Sequence, residues 1–282
     1  MHKIGIIALD LDGTLLDSEK NVSSVNRAAL ERAASAGIQI VPTTGRFFGG
    51  MPQEIRALPF VRYAITINGA QVADTSTGEV IYKAELPWQQ AVEIMEYLDS
   101  LPVIYDCYQN NCGWMTAAQK ERIDEFAPNE HYRKMLHELR KPVPELKAFL
   151  AQKQEGVQKV QFFTKDMELH ARMLKELPLR FADLAVSSSV SNNIEINQSH
   201  ANKGEALRAL ARYLGMPEDA TLSFGDGLND ISMLREAGVG VAMAKACPHA
   251  KEAADWVTLS NDENGVAVGI ETFCFGLEAG AY

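Results

Sequence analysis

The 282-residue chain lacks the features that mark a disulfide scaffold, a membrane protein or a nucleic-acid binder. Its four cysteines are too few for a disulfide framework at this length. Cys107 and Cys112 stand close together, but no second Cys or His pair lies at finger spacing. Free thiols on a hairpin are therefore expected, not zinc. The six histidines are scattered and match no ligand spacing. No apolar run approaches the ~20 residues of a membrane span. The apolar segment Ile4 to Leu9 is cut off by Asp10, which is not a signal-peptide pattern. A reducing, cytoplasmic setting is the expectation. Positive charge is in deficit, 27 Lys and Arg against 37 Asp and Glu, and forms no run, which argues against nucleic acid as a partner. No low-complexity segment or internal repeat appears. With 46% hydrophobic and 23% charged residues, the composition is that of an ordinary globular protein, long enough for two domains.

The first third alternates strand and helix. Ile4–Asp10 reads as a strand apolar on both faces. "SSVNRAALERAASAG" reads as a helix with Ser23 or Ser24 to cap it and Gly37 to close it. Ile38–Thr43 is a second strand, Arg46–Leu58 a short helix, Tyr63–Ile67 a third strand, and Asn68–Gly69 a hairpin turn. From about Leu86 the rhythm changes to blocks of helices and antiparallel pairs, an α+β pattern. A charged stretch up to Gln154 reads as mostly helical. At about Ser199 the strand–helix rhythm returns. The expected architecture is α/β: a doubly wound, mainly parallel Rossmann-like core, residues 1–85 and 188–282, split by an inserted domain at 86–187.

Ligands of open α/β sheets bind outside the carboxyl ends of the strands. The apolar run Ile6–Leu9 ends in Asp10-Leu11-Asp12-Gly13-Thr14, two carboxylates at the mouth of the core. The second strand ends in Thr43-Thr44-Gly45-Arg46. "TLSF" ends in Gly225-Asp226-Gly227-Leu228-Asn229-Asp230, and Lys203 opens a helix after the strand "NIEIN". Parallel strands are expected to bring these ends to one edge. A cation at a helix N-terminus opposes the helix dipole, which favours a functional role for Lys203. Hard oxygen ligands suit Mg²⁺, and a hydroxyl, an ammonium and glycine-turn N–H groups hold phosphate oxygens. A carboxylate can serve as nucleophile, and a second one two residues on points the same way along an extended chain.

These four motifs, in order along the whole chain, resemble the haloacid-dehalogenase superfamily of phosphatases. "GDGLNDISMLREAGVGVAMAKA" and "SNDENGVAVGIE" look closest to its Cof-type (type IIB) members, in which a large α/β cap is inserted between the second and third motifs. The resemblance implies a Mg²⁺-dependent phosphatase that hydrolyses phosphate monoesters of small metabolites, sugar phosphates or phosphorylated cofactors, through an aspartyl-phosphate. It implies Asp10 as nucleophile and metal ligand, and Asp12 as general acid/base with its carbonyl on the metal. Asp226 would be the remaining ligand. Thr44, Lys203, Asn229 and the N–H groups of Leu11 and Gly45 would hold the phosphate, and Asp230 would orient Lys203 or a metal-bound water. Pro42-Thr43 is a small departure, standing where an apolar residue and Ala are more usual.

The cap is expected to close over the core edge and to choose the substrate, with Asn110, Asn111 and Trp114 on its hairpin as candidate contacts. A phosphomutase and a non-catalytic phosphometabolite sensor are the alternatives on the same fold. The sensor requires a broken catalytic set, whereas Asp10, Asp12, Lys203 and Asp226 are all present. The expected partner is a small phosphorylated metabolite, with neither nucleic acid nor membrane; the oligomeric state is not legible in the sequence.

Overall fold

The structure, a computed structural model, describes residues 3–276 and divides into two compact units. The first unit holds the chain up to Arg46, Met51–Lys83 and the chain from Asn202 onward; the second holds Phe47–Gly50 and Ala84–Ala201. Among the described residues no helix is long and apolar enough to cross a membrane.

In chain order the first unit contributes strands β1 (Ile6–Leu9), β2 (Gln39–Pro42), β3 (Tyr63–Thr66), β4 (Gln71–Asp74) and β5 (Val80–Lys83). The second contributes β6 (Val103–Gln109), β7 (Cys112–Thr116), β8 (Arg140–Val143), β9 (Lys159–Thr164), β10 (Leu184–Ser187) and β11 (Asn193–Gln198). The first unit then resumes with β12 (Thr221–Gly225), β13 (Val239–Ala242) and β14 (Trp256–Val257).

The main sheet of the first unit is parallel, in the order β14-β13-β12-β1-β2. A parallel bridge from Thr43 to Ile65 leads on to the antiparallel β3-β4-β5. All four residues of β1 are buried, as a strand covered on both faces requires. Chain order reverses about β1, so the crevice at its carboxyl end is where a ligand is expected in such a sheet. The helix after β1 begins at Ser24, where Ser23 caps it by accepting a hydrogen bond from Asn26 N at 3.0 Å. This is the doubly wound α/β core anticipated from the sequence.

The second unit is a six-stranded sheet, β10-β11-β9-β6-β7-β8, antiparallel except for the parallel pair β7–β8. Helices Trp88–Leu98, Leu146–Lys153 and Met167–Arg180 bury Ile94, Met95, Leu150 and Met173 against Val160, Phe162, Ile194 and Ile196 on one face.

Two expectations change. The inserted unit ends at Ala201, not at 187, because β11 pairs with β9 and β10 and puts Ile194 and Ile196 into the second core. Arg46–Leu58 is not one helix. Gly49-Gly50 and Pro52 break it into a single turn, Phe48–Gly50, and a helix, Gln53–Arg56. The stretch expected to be mostly helical up to Gln154 is so, with one strand in it, β8, paired with β7.

Candidate active site

The carboxyl ends of β1, β2 and β12 lie level. Asp10 N donates to Phe224 O at 3.0 Å, and Thr43 N to Leu9 O at 2.7 Å. The turn beyond β1 requires Gly13. Its φ is +86°, and a Cβ there would stand 2.5 Å from Asp226 Oδ2. Thr14 Oγ1 donates to Asp226 Oδ1 at 2.9 Å, so the first motif grips the fourth.

Lys203 is fully buried, and its Nζ donates to Asp10 Oδ1 and Asp230 Oδ1, both at 2.6 Å. It does not arrive at the end of a parallel strand, because β11 belongs to the other unit. It is the first residue of the helix Lys203–Tyr213, which Asn202 caps through Glu205 N at 2.9 Å. The backbone of Asn202 and Lys203 lies so close to Gly69 that a Cβ on Gly69, φ +94°, would meet Asn202 O at 2.2 Å. Two carboxylates thus answer the objection of the helix dipole to a cation. Asp230 Oδ2 also accepts from Asp226 N and Gly227 N at 2.8 Å, which shapes the turn that presents Asp226.

The electrostatics divide the carboxylates. Burial pushes Asp10 well above the usual carboxylate range; Lys203 opposes this, while Asp230 and Asp226 add to it. Burial and then the Asp230 charge push Asp226 up to about 6. Burial alone would depress the Lys203 ammonium, but Asp10 and Asp230 outweigh it and raise it. Burial also acts to raise Asp12, yet Arg46 and Lys20 overcome this and hold it below its ordinary value. Arg46 grips Asp12 Oδ2 with Nε at 3.1 Å and Nη2 at 2.8 Å, and Lys20 Nζ donates to Oδ1 at 2.8 Å. The two motif-one carboxylates therefore do not share one environment. Asp10 faces other carboxylates, and Asp12 is held by cations.

Asp10, Asp226 and Asp230 each offer an oxygen, all within 4.8 Å of one another. This all-oxygen set, with two pKa values raised by mutual repulsion and burial, fits a hard divalent cation. The Asp12 carboxylate is not in the cluster, and its carbonyl was the expected donor.

Thr44 is buried beside this edge, and its Oγ1 accepts from Arg46 N at 3.2 Å. Asn229 Nδ2 donates to Asn68 Oδ1 at 3.2 Å, and that same oxygen would stand 2.7 Å from a Cβ on Gly45. Leu11 is fully buried in the turn after Asp10, its carbonyl accepting from Leu16 N at 2.9 Å.

The sequence reading passed over several participants. Asn68 sits at φ +57°, in the four-residue connection between β3 and β4 rather than in a two-residue turn, and joins Thr44 and Asn229. Thr14, Lys20 and Arg46 were not assigned roles. Lys20 has φ +68° within a turn fastened by Asp17, whose Oδ1 accepts from Glu19 N and Asn21 N at 2.9 Å. An Asp opening a polar run one turn after a motif was the only sequence signal for it.

The three cap candidates lie in the second unit and have partners there. Asn110 and Asn111, φ +52° and +57°, form the two-residue turn of the β6–β7 hairpin. Asn110 Nδ2 donates to Glu155 Oε2 at 2.5 Å; Asn111 N donates to Gln158 Oε1 at 2.8 Å, and Asn111 Oδ1 accepts from Phe48 N at 2.8 Å. Trp114 packs on the helix-covered face, its ring 4.7 Å from that of Phe149, and donates to Gln109 O at 3.2 Å.

A buried carboxylate, a buried lysine and a hydroxyl at the mouth of a parallel α/β sheet are groups of the kind that phosphoryl transfer uses. The chain belongs to the haloacid dehalogenase-like hydrolases: that family's profile matches residues 7–270. It is 32% identical to the phosphatase YwpJ of Bacillus subtilis, over 93% of this chain and 97% of that one. It is 30% identical to the 5-amino-6-(5-phospho-D-ribitylamino)uracil phosphatase YcsE of the same organism, over 95% of this chain and 94% of the other. The solved structure of the subclass IIB sugar phosphatase BT4131 superposes with a TM-score of 0.79 at 26% identity, covering 95% of this chain and 98% of that one. The chain is accordingly an enzyme of this family, a phosphatase.

Proposed function

We propose that the protein hydrolyses phosphate monoesters in two displacements at Asp10. The Asp10 carboxylate attacks phosphorus, and the P–O bond to the leaving group breaks. Water then attacks the aspartyl-phosphate and releases inorganic phosphate. The observation that carries this reading is the Asp10 carboxylate itself, which ends a buried strand with Lys203 Nζ at 2.6 Å. Lys203 aligns the attacking oxygen and supplies positive charge where phosphoryl oxygens gather. The Thr44 hydroxyl, Asn229 and the N–H groups of Leu11 and Gly45 complete the phosphate cradle in this proposal.

Asp12 serves as acid for the leaving oxygen and then as base for water. Arg46 and Lys20 favour its ionised form, which is the form that accepts the proton from water. Departure of a poor leaving group requires one of these cations to let go. Mg²⁺ is the metal proposed, held by Asp10, Asp226 and the Asp12 carbonyl, where it would neutralise the crowded carboxylates and polarise the phosphate. Sugar phosphates and phosphorylated cofactors are the proposed substrates, a reading supported by the names of the relatives. The inserted unit is proposed to select among them.

The test is release of inorganic phosphate from a panel of phosphorylated metabolites, with and without chelator. Mg²⁺-dependent release from wild type, abolished in Asp10→Asn with an unchanged thermal midpoint, is expected. Substantial turnover by Asp10→Asn would exclude covalent catalysis at that residue. Isomerised phosphoester without free phosphate would instead make the protein a phosphomutase.

A further inference from the structure

Beyond β3 the chain passes through three consecutive residues in the left-handed region, Ile67 at φ +55°, Asn68 at +57° and Gly69 at +94°. Glycine takes this conformation without strain and asparagine tolerates it, but a β-branched side chain does not. Ile67 is fully buried there. Backbone strain of this kind persists only where the surroundings over-determine it, and it gathers at functional sites.

The surroundings are the motifs of the candidate active site, all within the first unit. Ile67 N donates to Arg46 O at 2.9 Å and Asn68 N to Thr44 O at 3.0 Å, so the turn is bonded on both sides of Gly45. Thr44 N donates in return to Ile65 O at 2.9 Å. Gly69 has the backbone of Asn202 and Lys203 packed against it. The Asn68 side chain reaches the fourth motif, its Oδ1 accepting from Asn229 Nδ2 at 3.2 Å. The other end of that amide is placed as well: a Cβ on Gly227 would stand 2.7 Å from Asn229 Oδ1.

An amide turned end for end offers a phosphate either N–H donors or a repelling carbonyl oxygen. Asn68 Oδ1 can only accept, so it selects the Nδ2 end of Asn229. One hydrogen of Nδ2 goes to Asn68 and leaves the second for the phosphate. A flipped Asn229 would set acceptor on acceptor. We propose that Asn68 is a positioning residue for the phosphate, fixing which end of the Asn229 amide meets the anion, and that the left-handed turn holds it in place for this. Relaxing Ile67 to the extended region would redirect the chain and carry Asn68 off both Thr44 and Asn229. The inference rests on the phosphatase reading above and deepens it.

The experiment is a double-mutant cycle of Asn68→Gly and Asn229→Ala in Mg²⁺ buffer. It is read as kcat/KM for 4-nitrophenyl phosphate and glucose 6-phosphate, and as the inhibition constant of inorganic phosphate. Glycine adopts φ +57° freely, so Asn68→Gly keeps the turn and deletes only the side chain. The expected result is a ~10-fold fall in kcat/KM, equal for the two esters, with weaker inhibition by phosphate. Adding Asn68→Gly to Asn229→Ala should cost less than ~2-fold more, because the one residue acts through the other. Wild-type kinetics in Asn68→Gly, or losses that multiply in the double variant, overturn the positioning role and leave the phosphatase reading standing. If Asn68→Gly does not fold, Gly45→Ala, whose methyl would stand 2.7 Å from Asn68 Oδ1, takes its place in the cycle under the same criteria. If wild type hydrolyses neither ester, calorimetric dissociation constants for inorganic phosphate replace the kinetics in the same cycle. Failure of wild type to bind phosphate as well overturns the phosphatase reading and the positioning role together.

Discussion

Single side chains decide the chemistry because each sits where burial sharpens its effect. Gly45 is such a place. A methyl group there would stand 2.7 Å from Asn68 Oδ1, the end of a side chain that can turn. Gly45→Ala is therefore expected to swing Asn68 away from Asn229, lowering kcat/KM about 10-fold, the order of one hydrogen bond. Its urea midpoint should stay near that of wild type. Asp262 acts at a distance from the reacting atoms. Its carboxylate accepts from Ser18 N at 2.8 Å, Ser18 Oγ at 2.9 Å and Lys245 Nζ at 2.6 Å, and fastens the turn that carries Lys20. The Lys245 hydrogen bond, then those from Ser18, pull its pKa down to about 2. A depressed carboxylate stabilises the fold above its unfolded pKa, and that contribution disappears as pH falls through the folded value. Wild type should thus lose this contribution between about pH 4 and pH 2. Asp262→Asn should show a lower thermal midpoint at pH 6 and a shallower decline on acidification; parallel curves would discard the linkage.

At the scale of elements, the start of the helix Lys203–Tyr213 sets the position of the lysine. Asn202→Ala removes the cap on Glu205 N and is expected to cost about 1 kcal/mol in urea unfolding. Because Lys203 is the next residue, the same variant should also lower kcat, whereas an ordinary surface cap would leave kcat alone. Gly69→Ala is the harsher change. Its Cβ would meet the Asn202 carbonyl at 2.2 Å, backbone that cannot turn aside, at φ +94°. It should cost more than the cap variant in the same titration; equal losses would mean that the β3–β4 connection yields freely.

At the scale of the whole molecule, the chain forms two units with separate cores. The residues proposed for chemistry all lie in the first, and the second is proposed to choose the substrate. Within it Trp114 packs on Phe149 under the helices, so Trp114→Ala is expected to lower stability by about 2 kcal/mol or more and keep the rank order of substrates. Asn110, exposed at the hairpin tip, remains a proposed contact whose replacement by Ala reorders the panel. A uniform loss on all substrates in Asn110→Ala would make the tip structural as well.

Local signals carried the sequence a long way. The apolar runs of β1, β2 and β12 announced a parallel sheet, since only strands covered on both faces tolerate no alternation. Their polar ends marked Asp10, Thr44 and Asp226 without coordinates. The change of rhythm located the insertion but set its end too early, because a strand such as β11 reads alike in either sheet, and only pairing with β9 assigns it. Tertiary structure alone decided the partners. Lys203 reaches Asp10 across 193 positions, Arg46 and Lys20 converge on Asp12, and Asn68 meets Asn229 across 161. No periodicity encodes such distances. The apolar pattern sets which face of a strand is buried, whereas the depth of a carboxylate and the charge beside it depend on where the rest of the chain comes to lie.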